Sequence, residues 1–424
     1  MTMHTHIGET SNAKPVSLTR DERLRHMAIF GSTGVGKTTF LLNIVAQDIA
    51  RGDGLLVIDP HGDFAERALT LVPPARNNQV CYLNLTDNAY PIGFNILEDP
   101  GPDQRAVLAD GIVSGMRAIW SDMWGPRLEQ ILRHSIMALI ETPNASLAVL
   151  PRLLMDTDFR TRVLARVTNP LTRAFFEQRF NGWRDDYREQ AIDPVLNKID
   201  AFLFSPAILN VISQAKSTLH FEHAMAKRRV VIANLARGVI GESPSNLMGA
   251  LLLARVQAAG MARASLPPEA RYPFHIVIDE VQLFGTEVIA QILSEARKYG
   301  LSLTMATQFM AGLNDKTLAA VMGNVAALIV FRVGHDDALV LAPEFDRPHQ
   351  AFNPYALRQL PRGEAMVRIS SAEGELVEMH PDPLPHGNAG RVKQQSRIHY
   401  GIRREVVEER LRRLLSAASA NRDR

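Results

Sequence analysis

Two hydrophobic rhythms alternate along the chain. Met27–Phe30, Gly54–Asp59, Gln79–Leu85, Val230–Leu235, Phe274–Asp279, Leu301–Thr307 and Ala327–Phe331 are short, largely apolar runs, several of them bounded by glycine, proline or acidic residues, and predict buried strands. Between them, helical spacing predicts helices over Lys37–Ala50, Asn246–Ala264, Glu287–Tyr299 and Asp315–Met322. Strands alternating with helices point to a parallel sheet covered on both faces. Residues 364–380 predict a closing hairpin with Ala372–Gly374 near its turn.

From 103 to 225 the rhythm is helical alone. Apolar residues recur every three or four positions in Val107–Trp120, Leu128–Ile140, Leu147–Met155 and Leu171–Phe180. Prolines such as Pro126, Pro151, Pro170 and Pro206 mark helix starts and turns. The expected fold class is α/β, with an all-α subdomain inserted into a mainly parallel sheet. The boundaries are a flexible N-terminal arm at 1–24, a first core segment at 25–102, the helical subdomain at 103–225, a second core segment at 226–384, and a basic tail at 385–424 ending in the amphipathic helix Glu405–Leu415.

Composition narrows the class only modestly. With 424 residues, 46% hydrophobic and 22% charged, the chain is long enough for a large core and too apolar to be mainly disordered. Cys81 is the single cysteine, which excludes an intrachain disulfide and a thiolate metal cluster. The histidines, including His4/His6 and His220/His223, lack companion ligands at metal spacing. The longest apolar stretch, Leu247–Ala264, is interrupted by Arg255, Gln257 and Arg263, so no membrane helix is expected. The expectation is a cytoplasmic protein with no direct membrane insertion, any membrane association coming through partners.

One motif carries specific chemistry. Gly31-Ser32-Thr33-Gly34-Val35-Gly36-Lys37-Thr38 matches GxxxxGK[ST], the Walker A pattern, and sits between a predicted strand and a predicted helix. Glycines let successive N–H groups turn inward around phosphate oxygens, and the helix adds its positive end. Lys37 would neutralise the β- and γ-phosphates, and the Thr38 hydroxyl would ligate Mg²⁺. With Thr39, these residues form the expected ATP-binding set.

A P-loop also needs acids from a neighbouring strand. His275-Ile-Val-Ile-Asp279-Glu280 supplies them in the Walker B position, Asp279 for the magnesium shell and Glu280 as general base for the attacking water. Gln308 follows Thr307 at a strand end, where an amide can touch the γ-phosphate or its water; a solvent-facing turn glutamine is the plain alternative. Arg297 ends the preceding helix, where the dipole favours a basic residue in any case. The residues alone leave that role and an arginine finger equally open.

The ordered set Gly31–Thr38, Val57-Ile-Asp-Pro-His-Gly-Asp63, Ile278-Asp-Glu280, Arg297-Lys-Tyr-Gly-Leu301 and Thr307-Gln308 resembles the HerA–FtsK superfamily. Within it the chain is most similar to type IV secretion coupling ATPases of the TraD/TraG kind, sharing also Pro91-Ile-Gly-Phe-Asn95, Trp124-Gly-Pro-Arg127 and Gly323-Asn with Phe331-Arg-Val-Gly334. The likeness spans about residues 25 to 400. It implies a RecA-like motor core forming a hexameric ring, a DNA-stimulated ATPase that translocates DNA in conjugative transfer, with ATP and Mg²⁺ as cofactors and a relaxase or secretion-channel proteins as partners. It implies Gln308 as sensor and Arg297 as a finger acting in trans, with Arg332 the second candidate. Asp59 and His61 sit at a strand end near the site without an assigned role.

Coupling proteins commonly carry N-terminal membrane helices, whereas here about 26 residues precede the first predicted strand. A HerA-like DNA-processing motor, a secretion or pilus-assembly ATPase that moves protein, and a nucleotide-switched recruitment module are the alternatives. The net charge of +2 permits a DNA partner without demanding one. Lys227-Arg-Arg229 and the tail arginines are the basic concentrations, and charge runs of this kind are also found on solvated helix faces.

Overall fold

The computed structural model describes residues 4–121 and 124–416. The chain divides into two compact units, the first comprising Met1–Tyr82, Glu222–Asn234 and Arg263–Gln395. Its frame is an eleven-stranded sheet of β1 (Thr5–Thr10), β2 (Pro15–Leu18), β3 (Met27–Phe30), β4 (Gly54–Asp59), β5 (Val80–Asn84), β6 (Val230–Asn234), β7 (Phe274–Ile278), β8 (Leu301–Thr307), β9 (Ala327–Val330), β10 (Glu364–Ile369) and β11 (Glu375–Met379). The strand order is β2-β1-β11-β10-β9-β3-β8-β7-β4-β6-β5.

The block β9-β3-β8-β7-β4-β6 is parallel throughout. Every residue of β3, β4, β6, β7, β8 and β9 is buried, which is why these strands read as near-continuous apolar runs. Helices α2 (Lys37–Ala50) and α3 (Asp63–Thr70) contribute Phe40, Leu41, Ile44, Val45, Phe64 and Leu69 to one core with the sheet. The predicted closing hairpin is β10–β11, paired antiparallel.

The N-terminal segment departs from expectation. Residues 4–24 are not a loose arm: β1 and β2 form a hairpin, β1 pairs with β11, and α1 (Arg20–Leu24) follows behind a Thr19–Glu22 capping box. Locally the segment is polar, with Ile7, Val16 and Leu18 as its buried apolar anchors. Its stabilisation comes from distant partners. Gly8 lies so close to β11 that a Cβ there would stand 2.2 Å from the Glu378 carbonyl oxygen. The buried Arg23 guanidinium pairs with buried Asp48 at 2.9 Å.

The second unit comprises Leu83–Phe221, Leu235–Ala262 and Ser396–Arg424. Among its described residues it contains α4 (Arg105–Ile119), α5 (Pro126–Ile140) and further helices. It is broader than the 103–225 block read from sequence, because the 21-residue helix Glu242–Ala262 belongs to it. That helix is buried from Ser245 to Gly260, so it has no polar face to reveal its packing. It meets α4 through small residues: a Cβ on Gly111 would stand 3.0 Å from Ala254 Cβ, and one on Gly115 3.1 Å from Ala250 Cβ. Among the described residues, no single helix is long and apolar enough to cross a membrane.

Candidate active site at the carboxyl ends of the parallel strands

β3 ends at Phe30 and the chain turns through Gly31–Gly36 into α2. Gly34 and Gly36 take φ of +78° and +121°, which side-chain-bearing residues rarely adopt. Phe331, just past β9, packs beneath this turn; a Cβ on Gly31 would stand 2.7 Å from Phe331 Cβ. Ser32 N–H donates to the Arg332 carbonyl at 2.9 Å, tying the loop to the same strand end. Lys37 is buried and its ammonium donates to the Gly31 and Ser32 carbonyls at 2.6 and 2.9 Å. Burial lowers its pKa, opposed by the charges of Glu280 and Asp279. The loop thus presents the conformation and the cation that a phosphate cradle requires.

The acids close adjacent strands. β4 and β7 pair through Ile58 and Ile278, which places Asp59 beside Asp279, and Asp279 N–H donates to the Ile58 carbonyl at 3.2 Å. Asp59 accepts backbone N–H bonds from His61 and Ala65, both at 2.8 Å, so it braces the turn into α3. His61 is solvent-exposed. Asp279 is buried, and burial together with neighbouring Glu280 and Asp59 raises its carboxyl pKa to about 7 despite Lys37. The Asp59 oxygens are taken by backbone N–H groups, whereas Asp279 and Glu280, whose charges act on the Lys37 ammonium, are acids of the kind that suits a divalent cation. Asp279, with the Thr38 hydroxyl on the first turn of α2, could hold it.

Glu280 sits in the left-handed region at φ 54°. Its two carboxylate oxygens each accept an amide N–H, Oε1 from Gln308 and Oε2 from Gln282, both at 2.5 Å. Gln308 in turn accepts from Thr33 Oγ1 at 3.0 Å, which links the acid to the phosphate loop through one side chain. The sequence reading brought Gln308 to this end of the sheet but missed Gln282. The only local signal was an amide two residues beyond the acid.

Other expected residues fall elsewhere. Thr39 turns away from the loop and donates to Asp382 at 2.7 Å, a hydrogen bond that holds the Asp382 carboxyl below its usual range. Arg297 lies before the amino end of β8, roughly 20 Å of strand from Gln308. It is half exposed and pairs with Asp21 at 2.8 Å. Its own phosphate loop is out of its reach. Asp48, Asp53 and His275 also cluster, but Arg23 and Arg51 take the Asp48 carboxylate and Arg51 the Asp53 carboxylate.

The arrangement has close relatives in fold. The bacterial conjugative coupling protein TrwBdeltaN70 superposes with a TM-score of 0.64 at 16% identity, covering 92% of each chain. TrwB in complex with ADP and Mg²⁺ gives 0.64 at 17% identity, over 92% of this chain and 93% of that one. VirB4 of Thermoanaerobacter pseudethanolicus gives 0.56 at 12% identity, over 91% and 97%. No curated protein sequence matches. At these identities the structural likeness speaks for the fold, a RecA-like P-loop core. The family comes from the sequence itself: residues 5–256 match the model described as the central domain of helicase HerA, and the chain therefore belongs to that family.

Proposed function

We propose that this protein is an ATP-dependent motor that hydrolyses ATP to ADP and phosphate and uses the cycle to translocate DNA, in the manner of conjugative coupling ATPases. The observation that carries the hydrolytic reading is the chain of contacts Thr33–Gln308–Glu280, which connects a phosphate loop to a carboxylate held by two amides.

In this reading the backbone of Gly31–Thr38 cradles the phosphates, and the Lys37 ammonium leaves its two carbonyl partners for the β- and γ-phosphate oxygens. Thr38 and Asp279 would hold magnesium, which would supply positive charge against the phosphate oxygens. Glu280 takes a proton from the attacking water as the new bond to the γ-phosphorus forms and the bond to the β–γ bridging oxygen breaks. Gln308 senses the γ-phosphate because it touches both loop and base. Arg297, remote from its own loop and half exposed, serves a neighbouring subunit of a hexameric ring. Arg332, exposed on the strand end whose backbone is bonded to Ser32, is the second candidate for that trans role.

Support for DNA as the substrate is the family membership together with the fold shared with a protein named as a conjugative coupling protein. Lys227 and Arg228 are exposed at the amino end of β6, the latter lying over the Tyr272 ring at 4.5 Å. A relaxase or a secretion channel would be the protein partners in such a system. The test is ATP turnover measured against single- and double-stranded DNA over a salt series. Stimulation that falls steeply with salt is expected; turnover indifferent to DNA would remove the translocase assignment and favour a motor acting on protein.

A further inference from the structure

Glu280 depends on a residue outside its own motif. Its Oε2 accepts from Gln282 Nε2 at 2.5 Å. Only the N–H side of an amide can face a carboxylate without repulsion, so the orientation of Gln282 is determined by chemistry. That orientation leaves Gln282 Oε1 buried and without a hydrogen-bond partner among the described residues. An acceptor left without a partner opposes folding, so the bond to Glu280 is what holds the amide in this orientation.

The stem of Gln282 has its own support. Gly312, in the Met310–Gly312 turn, lies against it so closely that a Cβ there would stand 2.8 Å from Gln282 Cβ and 2.9 Å from Cγ. The turn is anchored: Thr307 Oγ1 donates to the Phe309 carbonyl at 3.0 Å, and the Leu313 N–H to the Met310 carbonyl at 2.9 Å. Gln308, the other amide on Glu280, lies two residues before the same turn. One short segment therefore sets both hydrogen bonds to the acid, the first directly and the second through Gln282.

We propose that Gln282 is a positioning residue for the Glu280 base and that Gly312 determines its pose, so that displacement of the turn after β8 changes the rate of hydrolysis. This rests on the reading of Glu280 as the base.

The test uses the full chain and reads kcat, KM and ADP affinity for Gln282→Met, Gly312→Ala and the double variant, with thermal unfolding to confirm that each is folded. Loss of one charge-assisted hydrogen bond predicts a fall in kcat of about tenfold or more for each single variant, with ADP affinity held within about twofold. Because Gly312 acts through Gln282, the double variant is expected to be no slower than Gln282→Met alone. A parental kcat in Gln282→Met overturns the proposal, as do losses that multiply in the double variant. A variant that does not fold is replaced by Gln282→Asn, for which the same fall is expected. A parent chain that neither binds nor hydrolyses ATP overturns the functional reading and this inference together, which separates the two failures.

Discussion

Asp279 lies beside Asp59 at the ends of two paired parallel strands, and burial, then neighbouring Glu280, then this proximity drive the Asp279 carboxyl up to about 7. A carboxylate normally ionises near pH 4, so the folded chain holds a proton that the unfolded chain has released.

The first prediction follows from that proton. Between about pH 4 and pH 7 the folded state binds more protons than the unfolded state, so without nucleotide and metal this group's contribution to stability falls as pH rises through that window. Metal binding runs the other way, because the ligand must be deprotonated. Magnesium-dependent nucleotide affinity should climb as pH rises to about 7 and then level off. Asp279→Asn should remove both trends, as read by thermal unfolding and nucleotide titration across pH; an unchanged affinity profile in that variant would assign the titration to another group.

Lys37→Ala should abolish detectable ATP binding, since the ammonium is the loop's buried cation. Glu280→Gln should retain binding and lower kcat by about 100-fold or more. Equilibrium binding beside steady-state turnover distinguishes them. Glu280→Gln turning over at the parental rate would disprove the base.

Arg297→Ala should leave the fold intact, because the Arg297–Asp21 pair is largely exposed and such pairs are worth about 1 kcal/mol or less. Hydrolysis should nonetheless collapse, and mixing with Lys37→Ala chains should restore part of it if the finger acts across subunits. Asp21→Ala is the control, expected to keep its activity.

In the helical unit, Gly115→Leu should be destabilising by about 1–3 kcal/mol, the range for an overpacked contact. Ala250 already stands 3.1 Å from where the Cβ would be. Urea unfolding measures it, and Gly238→Leu, at a glycine with open space around its Cβ position, is the comparison.

The buried parallel strands were the most legible part of the chain. β3, β4 and β8 fall where apolar runs predicted them, because both faces of such strands are covered and composition alone reveals them. The β1–β2 hairpin was hidden, since its pairing with β11 joins residues some 370 positions apart in a polar context. The phosphate loop and the two acids were readable as motifs. Gln282 and Gly312 were not, because their relation is a contact between two turns that no spacing rule connects. Helix Ala389–Tyr400 was likewise missed; its mostly polar sequence gives a weak helical signal, and its Val392 is nevertheless fully buried.

The buried Arg23–Asp48 pair bears on how the protein can be shortened. Starting the chain at Met27 would preserve every nucleotide-binding motif, yet it would take Arg23 from Asp48, leaving Arg51 as its remaining arginine. Breaking a buried pair costs about 3–5 kcal/mol, here toward the low end because Arg51 stays, and a domain's whole margin is about 5–15 kcal/mol. An expression boundary chosen from motifs alone would thus cut away part of the catalytic domain's foundation, and soluble yield would report it before any assay.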